Sequence, residues 1–438
     1  MKQAKRISAA EAAAIVRSGD FVDYGLCLAV PDLFDAALAA RAPELRGVRV
    51  RGGVAATPRR VAEVDPIGEH FVYESWHFSG SERKLHDAGR CHYIPMNFGE
   101  LPDYYRRFID PIDVVCLKTC PMDERGYFNF GAAVAAQKAI TERARVLIVE
   151  TSRAMPYVYG SEESVHASEV DFVIEGDDAP LAELVNPEAS AVDRKVAALI
   201  AAEVEDGACL QVGIGSMPNA VCSLLRETGV RDLGIHTEMF IDGMVDLIEA
   251  GLVTGARKRL DRFQSVFTFA LGTQRLYRFL DRNARVVSKP VDYTNLPQNI
   301  MQNDHVVSIN NTTQMDLQGQ AASESSGHRH LTGTGGQLQF VRGAYASRGG
   351  KSFMCLSSTY DKRGAPQSRI VLALTQGNIV TTPRTDVMYV VTEYGLVNLK
   401  GKSVAERAKA LIGLAHPDFR ESLERDARER NLIPRTFF

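Results

Sequence analysis

Apolar positions along the chain fall into two alternating patterns. Short, nearly unbroken apolar runs occur at Val114–Leu117, Val146–Val149, Cys209–Val212, Ser352–Leu356, Ile370–Leu374 and Val387–Val391. Runs of this kind, bounded by turn formers, predict strands buried on both faces. Between them, Ala9–Arg17, Pro31–Ala40, Ala191–Val204, Pro218–Arg226 and Val404–Leu414 repeat their apolar residues at helical spacing, which predicts helices with one buried face. Alternation of the two patterns from end to end predicts an α/β chain whose sheets are mostly parallel, because parallel neighbours need a crossover and a helix supplies it.

The pattern also repeats within the chain. AAAIVRSGDFVDYGLCLAVPDLFDAAL (Ala12–Leu38) lines up with VAALIAAEVEDGACLQVGIGSMPNAVCSL (Val196–Leu224), each reading helix, Gly/Asp turn, strand, Gly turn and Pro at a helix start. A second match sets Val114–Gly131 against Phe353–Ile370 through a shared Asp-x-Arg-Gly turn. Two matches in the same order predict duplication of one α/β unit. The polar turn Asn186–Ala189 is the expected boundary, giving domains 1–188 and 189–438. Only the second half carries GIGSMP, Glu238 and the Gly-rich GTGGQ, so it is expected to hold the chemistry.

Composition narrows the function classes. Hydrophobic residues make up 45% and charged residues 24% of the 438 positions, the balance of an ordinary globular protein. A net charge of -3 provides no basic field for nucleic acid or anionic membrane. No run approaches the length of a membrane span, and the basic N-terminal stretch has charge-interrupted, helically spaced apolar residues instead of a secretory core. The seven cysteines are scattered through apolar runs, as expected of reduced, buried thiols in the cytoplasm. Cys116 and Cys120 lack a second ligand pair, so no metal site is expected.

Three segments carry candidate chemistry. GIGSMP follows the strand at Cys209–Val212 and opens a helix. Gly213 and Gly215 let a ligand approach the main chain, and freed N–H groups at a helix start favour anions; a plain tight turn reads equally well from these residues alone. It is no dinucleotide fingerprint, since Pro218 stands where the third glycine would fall. Glu238, in LGIHTEMFID, follows an apolar strand on a short polar turn, where an acid either caps the next helix or acts chemically. GTGGQLQFVRGAYASRGGKS (Gly333–Ser352) reads as a glycine loop able to wrap an anion, or as a long hairpin-like loop with alternation at Leu338 and Phe340. Arg348, Lys351, Lys362, Arg363 and Arg369 follow as a local basic set. In the first half, SWHFSGSERK gathers Trp76, His77 and Arg83, either an acyl or carboxylate pocket or core. No nucleophile elbow, HExxH or paired CxxC is present.

Taken together, GIGSMPNAV, LGIHTEMFIDGMVDLIEAGLV, GTGGQLQFVRGAYASRGGKS, VTEYGLVNLKGKSVAERAKALIGLAHPDFRESL, SWHFSGSERK, CPMDERGYFNFG and VETSRAMPYVYG resemble the acetyl-CoA hydrolase/transferase family, and within it the 4-hydroxybutyrate and butyryl-CoA:acetate CoA-transferases. The resemblance spans nearly the whole chain. It implies two tandem related α/β domains, the duplicated CoA-transferase fold, with CoA bound and attacked in the second and the acyl or acceptor acid met by the first. It implies that Glu238 becomes a glutamyl-CoA thioester and that Gly213, Ile214, Gly215, Ser216 and Met217 contact CoA, with one backbone amide of the turn serving the thioester oxyanion. Gly335 and Gly336, and Lys362 or Arg363, are implied as further CoA contacts, with Trp76, His77 and Arg83 at the acid. Ser216 stands where many relatives carry a third glycine, and Gln339 where an acid is common. The implied activity is CoA transfer between short-chain acids such as 4-hydroxybutyrate, butyrate and acetate, by ping-pong chemistry. Transfer to a dicarboxylate such as itaconate or succinate, and hydrolysis at the same glutamate, are the alternatives. A ligand-sensing module on a related fold is the non-enzymatic one. A glutamate is ordinarily ionised at neutral pH, so no cofactor beyond the substrate CoA is expected. The expected partners are acyl-CoA and short-chain carboxylates in a cytoplasmic homo-oligomer.

Overall fold

The computed structural model describes residues 4–185 and 187–434; Asn186, at the expected boundary, lies outside them. The chain divides into two compact units. The first takes the chain up to Val185 together with Thr237–Asp242 and Gln264–Asn295, and the second takes the stretch up to His236, Gly243–Phe263 and the chain from Leu296 on. Glu238 therefore packs with the first unit.

That unit is built on eight parallel strands in the spatial order Lys5–Arg6, Phe172–Glu175, Ala144–Thr151, Ile112–Thr119, Phe21–Asp23, Val48–Gly52, Phe71–Ser75 and His92–Tyr93. Val114, Val115, Cys116 and Leu117 are all buried in the middle of it, which is why that strand shows an unbroken apolar run. The helix Asp32–Ala40 buries Phe34 and Leu38 in the same core. The helix expected over Ala9–Arg17 spans Ala9–Ala13. Its end tightens into three-residue bonds, from Ile15 N–H to the Ala12 carbonyl and from Val16 N–H to that of Ala13, before Gly19 turns the chain with φ 82°.

The second unit holds six strands in the order Gly234–Ile235, Cys209–Val212, Val306–Asn311, Lys351–Cys355, Tyr389–Thr392 and Gly395–Asn398, parallel except for the last pair. The first self-match falls on equivalent strands: Phe21–Asp23 and Cys209–Val212 each sit inside their sheet, followed by a Gly turn and a helix. The second does not. Ile112–Thr119 pairs directly with Phe21–Asp23, whereas Val306–Asn311 separates Lys351–Cys355 from Cys209–Val212. The hairpin-like reading of Gly333–Ser352 is also corrected: Gln337–Ala346 is a helix. Phe340, Val341 and Ala344 are buried on one face of it, so the apparent alternation was part of a helical stripe. The hairpin lies further on, where Thr359–Lys362 pairs with Ala365–Ser368.

All seven cysteines are buried and unpaired, and burial pushes the Cys209 thiol up to about 11. Among the described residues, no helix is long and apolar enough to cross a membrane.

Candidate active site

Glu238 sits between the short strands Gly234–Ile235 and Met239–Phe240. Its backbone is fixed by the neighbouring strand pair: the Glu238 carbonyl accepts the N–H groups of Thr268 (3.0 Å) and Phe269 (3.2 Å), and Thr237 N–H donates to the Val266 carbonyl at 2.9 Å. Met239–Phe240 then runs parallel to Phe269–Ala270. The side chain is half-buried, and its Oε2 accepts the Asn295 Nδ2 amide at 2.6 Å. Asn295 is fully buried. The Thr294 hydroxyl donates to its Oδ1 at 2.9 Å, which fixes the amide so that the NH₂ group faces the carboxylate. Glu238 lies four positions ahead of Asp242, where the next helix begins, too far upstream to occupy its capping position. A half-exposed carboxylate on a pinned backbone, hydrogen-bonded by a buried amide, has the placement that nucleophilic attack requires. Asn295 was not singled out in the sequence; it arrives from a distant Pro-flanked segment, and only the fold brings it to Glu238.

In the second unit the glycine turn sits at the carboxyl edge of its sheet, where open α/β sheets bind ligands. Gly213 N–H closes the ladder on the Ile309 carbonyl at 3.0 Å. Gly215 then adopts φ 120° and ψ 178°, a region open essentially to glycine alone, and the helix Ser216–Leu225 begins. Asn311 Nδ2 donates to the Ile214 carbonyl at 3.3 Å, and Gln337 Nε2 donates to the Asn311 carbonyl at 3.2 Å. Asn311 thus ties the GIGSMP turn to the GTGGQ segment, two motifs far apart in sequence. Ser216 Oγ donates to Asp193 Oδ2 at 2.9 Å, an oxygen that also accepts the backbone and hydroxyl of Ser190. Gly335, with φ 58°, and Gly336 lead into the helix Gln337–Ala346. Thr334 Oγ1 in this loop donates at 2.7 Å to Glu324, whose carboxyl is raised above its usual range by burial, against a lowering from Thr334.

A cavity of about 270 Å³ opens here, lined by Asp193, Val196, Gly215, Ser216, Met217, Asn311, Thr313, Ser357 and Arg369, among others. Lys362 and Arg363 do not line it. They are exposed on the tip of the hairpin, where Arg363 takes φ 57°. Arg369, at the base of that hairpin, is the cation that the structure places on the cavity wall.

In the first unit Trp76 is 3% exposed. Its indole N–H donates to the Tyr105 hydroxyl at 3.0 Å, and that hydroxyl donates to Asp23 Oδ2 at 2.7 Å. The Arg51 guanidinium lies over the indole at 4.9 Å. Burial raises the Asp23 carboxyl even beside Arg51. His77 and Arg83 are half-buried, His77 just after the strand Phe71–Ser75 and Arg83 on the helix Gly80–Asp87.

Comparison with known proteins agrees over the whole length. Residues 2–185 match the model for the acetyl-CoA hydrolase/transferase N-terminal domain, and residues 272–427 match that for the C-terminal domain. The chain is 47% identical to the butyryl-CoA:acetate CoA-transferase of Anaerostipes caccae, over 99% of this chain and 98% of that one. It is 43% identical to a succinyl-CoA:cyclohexane-1-carboxylate CoA transferase of Geobacter metallireducens, over 98% and 96%. The crystal structure of RipA from Yersinia pestis superposes with a TM-score of 0.90 at 41% identity, over 98% of each chain.

Proposed function

The chain belongs to the acetyl-CoA hydrolase/transferase family and is a CoA-transferase; from that premise we propose that it moves CoA between short-chain carboxylic acids, among them butyrate, acetate and 4-hydroxybutyrate, through a thioester on Glu238. The observation that carries this reading is the Glu238 carboxylate itself, half-exposed, pinned through its backbone and oriented by Asn295 at 2.6 Å.

The chemistry needs only that carboxylate and the two substrates. Glu238 attacks the acyl-CoA carbonyl, giving an acyl-glutamyl anhydride and CoA thiolate. The thiolate attacks the glutamyl carbonyl, the first acid leaves as its carboxylate, and CoA stays on the enzyme as a thioester. A second carboxylate then attacks that thioester to form a new anhydride, and the thiolate returns to its acyl carbonyl, releasing new acyl-CoA and Glu238. Charge passes from carboxylate to thiolate and back, so no base and no further cofactor enter. Each tetrahedral intermediate benefits from a fixed donor, typically worth roughly 3–4 kcal/mol. Gly213–Met217 and Gly335–Gly336 supply CoA contacts in this reading; Trp76, His77 and Arg83 border the acid.

Initial rates from butyryl-, acetyl- and succinyl-CoA, against a panel of mono- and dicarboxylates as acceptors, test it. Parallel double-reciprocal lines with short monocarboxylates leading the panel are expected. Intersecting lines mean a ternary complex, and a lead by succinate or itaconate means a dicarboxylate enzyme. Release of free thiol without acyl exchange means hydrolysis.

A further inference from the structure

Arg369 is set in the wall of the second unit's cavity by neighbours that hold it without neutralising it. Its Nη1 donates to the Thr313 carbonyl at 2.9 Å and its Nε to the Thr359 carbonyl at 3.4 Å. The guanidinium lies 5.0 Å over the Tyr360 ring. Among the described residues no carboxylate comes within ion-pairing distance of it. Burial lowers its pKa from the ordinary arginine value, yet an arginine stays charged at any working pH. The carboxylate that shares the cavity wall, Asp193, directs Oδ2 at Ser190 and Ser216. A partly desolvated fork with carbonyls on one side and a cavity on the other lacks an anion.

Resting on the CoA-transferase reading above, we propose that Arg369 holds a phosphoryl group of the CoA substrate. A butyryl or acetyl thioester is neutral at its acyl end, so the anionic charge of the donor lies on its phosphates. A planar fork fixed through Nη1 and Nε presents its remaining N–H groups to two phosphoryl oxygens at once. Lys362 and Arg363, exposed on the tip of the hairpin that Arg369 closes, add an outer positive charge for the same end of the ligand.

The test compares wild type, Arg369→Gln and Arg369→Lys with butyryl-CoA, butyryl-3′-dephospho-CoA and S-butyrylpantetheine, acetate being the acceptor. Arg369→Gln is expected to raise KM for butyryl-CoA by about tenfold or more, with a smaller change in kcat. Arg369→Lys falls between it and wild type. The loss in kcat/KM shrinks several-fold with S-butyrylpantetheine, which has no phosphate. A loss kept with the dephospho compound identifies the pyrophosphate, and one that vanishes there identifies the 3′-phosphate. Equal loss on all three donors, or none on butyryl-CoA, overturns the assignment. Should Arg369→Gln fail to fold, inorganic pyrophosphate decides the matter in wild type: inhibition competitive with butyryl-CoA supports the site, and inhibition indifferent to butyryl-CoA contradicts it. A wild type unable to transfer CoA from any donor overturns the transferase reading instead.

Discussion

At Glu238 the amide of Asn295 donates to the carboxylate at 2.6 Å. A hydrogen bond to a charged group contributes about 1.5–3 kcal/mol, and each 1.4 kcal/mol is about a factor of ten in rate. Replacing Asn295 by Ala is therefore expected, on the proposed mechanism, to lower kcat by about 10- to 100-fold, with the KM for acyl-CoA nearly unchanged, because the bond is made to the Glu238 carboxylate and not to the nucleotide. Steady-state kinetics on a variant with a wild-type melt checks this; a change confined to KM would contradict it. Two glycines separate backbone strain from ligand approach. A Cβ on Gly215 would meet nothing nearer than Asn311 Nδ2 at 3.6 Å and Pro218 Cδ at 3.8 Å, so packing does not forbid a side chain there. Its φ of 120° does, at about 1–3 kcal/mol. Gly336, at φ −98°, carries no such penalty. Gly215→Ala is expected to melt lower than wild type and Gly336→Ala to melt with it, while both lose turnover. A Gly336→Ala enzyme of full activity would remove that loop from the CoA contacts.

Among the elements, the two equivalent strand ends have opposite fates. After Phe21–Asp23 the turn is filled from within: Leu26, Cys27 and Leu28 are buried, and a Cβ on Gly25 would collide with Gln137 and Leu117. After Cys209–Val212 the turn stays open, with Ile214 51% exposed beside the cavity. This supports CoA binding by the second turn and not the first. The loop ahead of the helix Gln337–Ala346 is tied partly by the hydrogen bond from Thr334 to Glu324, and the raised carboxyl of Glu324 makes a pH prediction. The folded protein keeps that proton to a higher pH than the unfolded chain, so the stability it carries is present below the ordinary value of 4.5 and is lost as pH rises through the folded value. Glu324→Gln, neutral throughout, should gain in Tm relative to wild type as pH rises across that interval and then hold a constant lead. A Tm difference independent of pH from 4 to 8 would contradict the assignment. The turns and the helix Val404–Leu414 were legible because their signals are local; Ser403 and Glu406 cap that helix reciprocally. Gln337–Ala346 was not, since glycines at its start masked a helical stripe that only packing against Ile300 reveals.

For the whole molecule, the alternating pattern and one self-match carried the α/β class, the parallel sheets and the pair of related units. The return of Thr237–Asp242 and Gln264–Asn295 to the first unit was invisible, because contacts between segments far apart leave no periodicity in either. For the same reason the sequence offered Glu238 but not Asn295, and Arg369 only as one of five basic residues, the one that the fold sets on the cavity wall. The central claim is that CoA passes through a covalent bond to Glu238. Incubating the enzyme with acyl-CoA and no acceptor, reducing with borohydride and mapping the peptides by mass spectrometry measures it directly. The account predicts one CoA-dependent modification per chain, at Glu238, absent from Glu238→Gln and discharged by acetate before reduction. Modification at another residue, or rapid acyl exchange with no modified peptide, would contradict it.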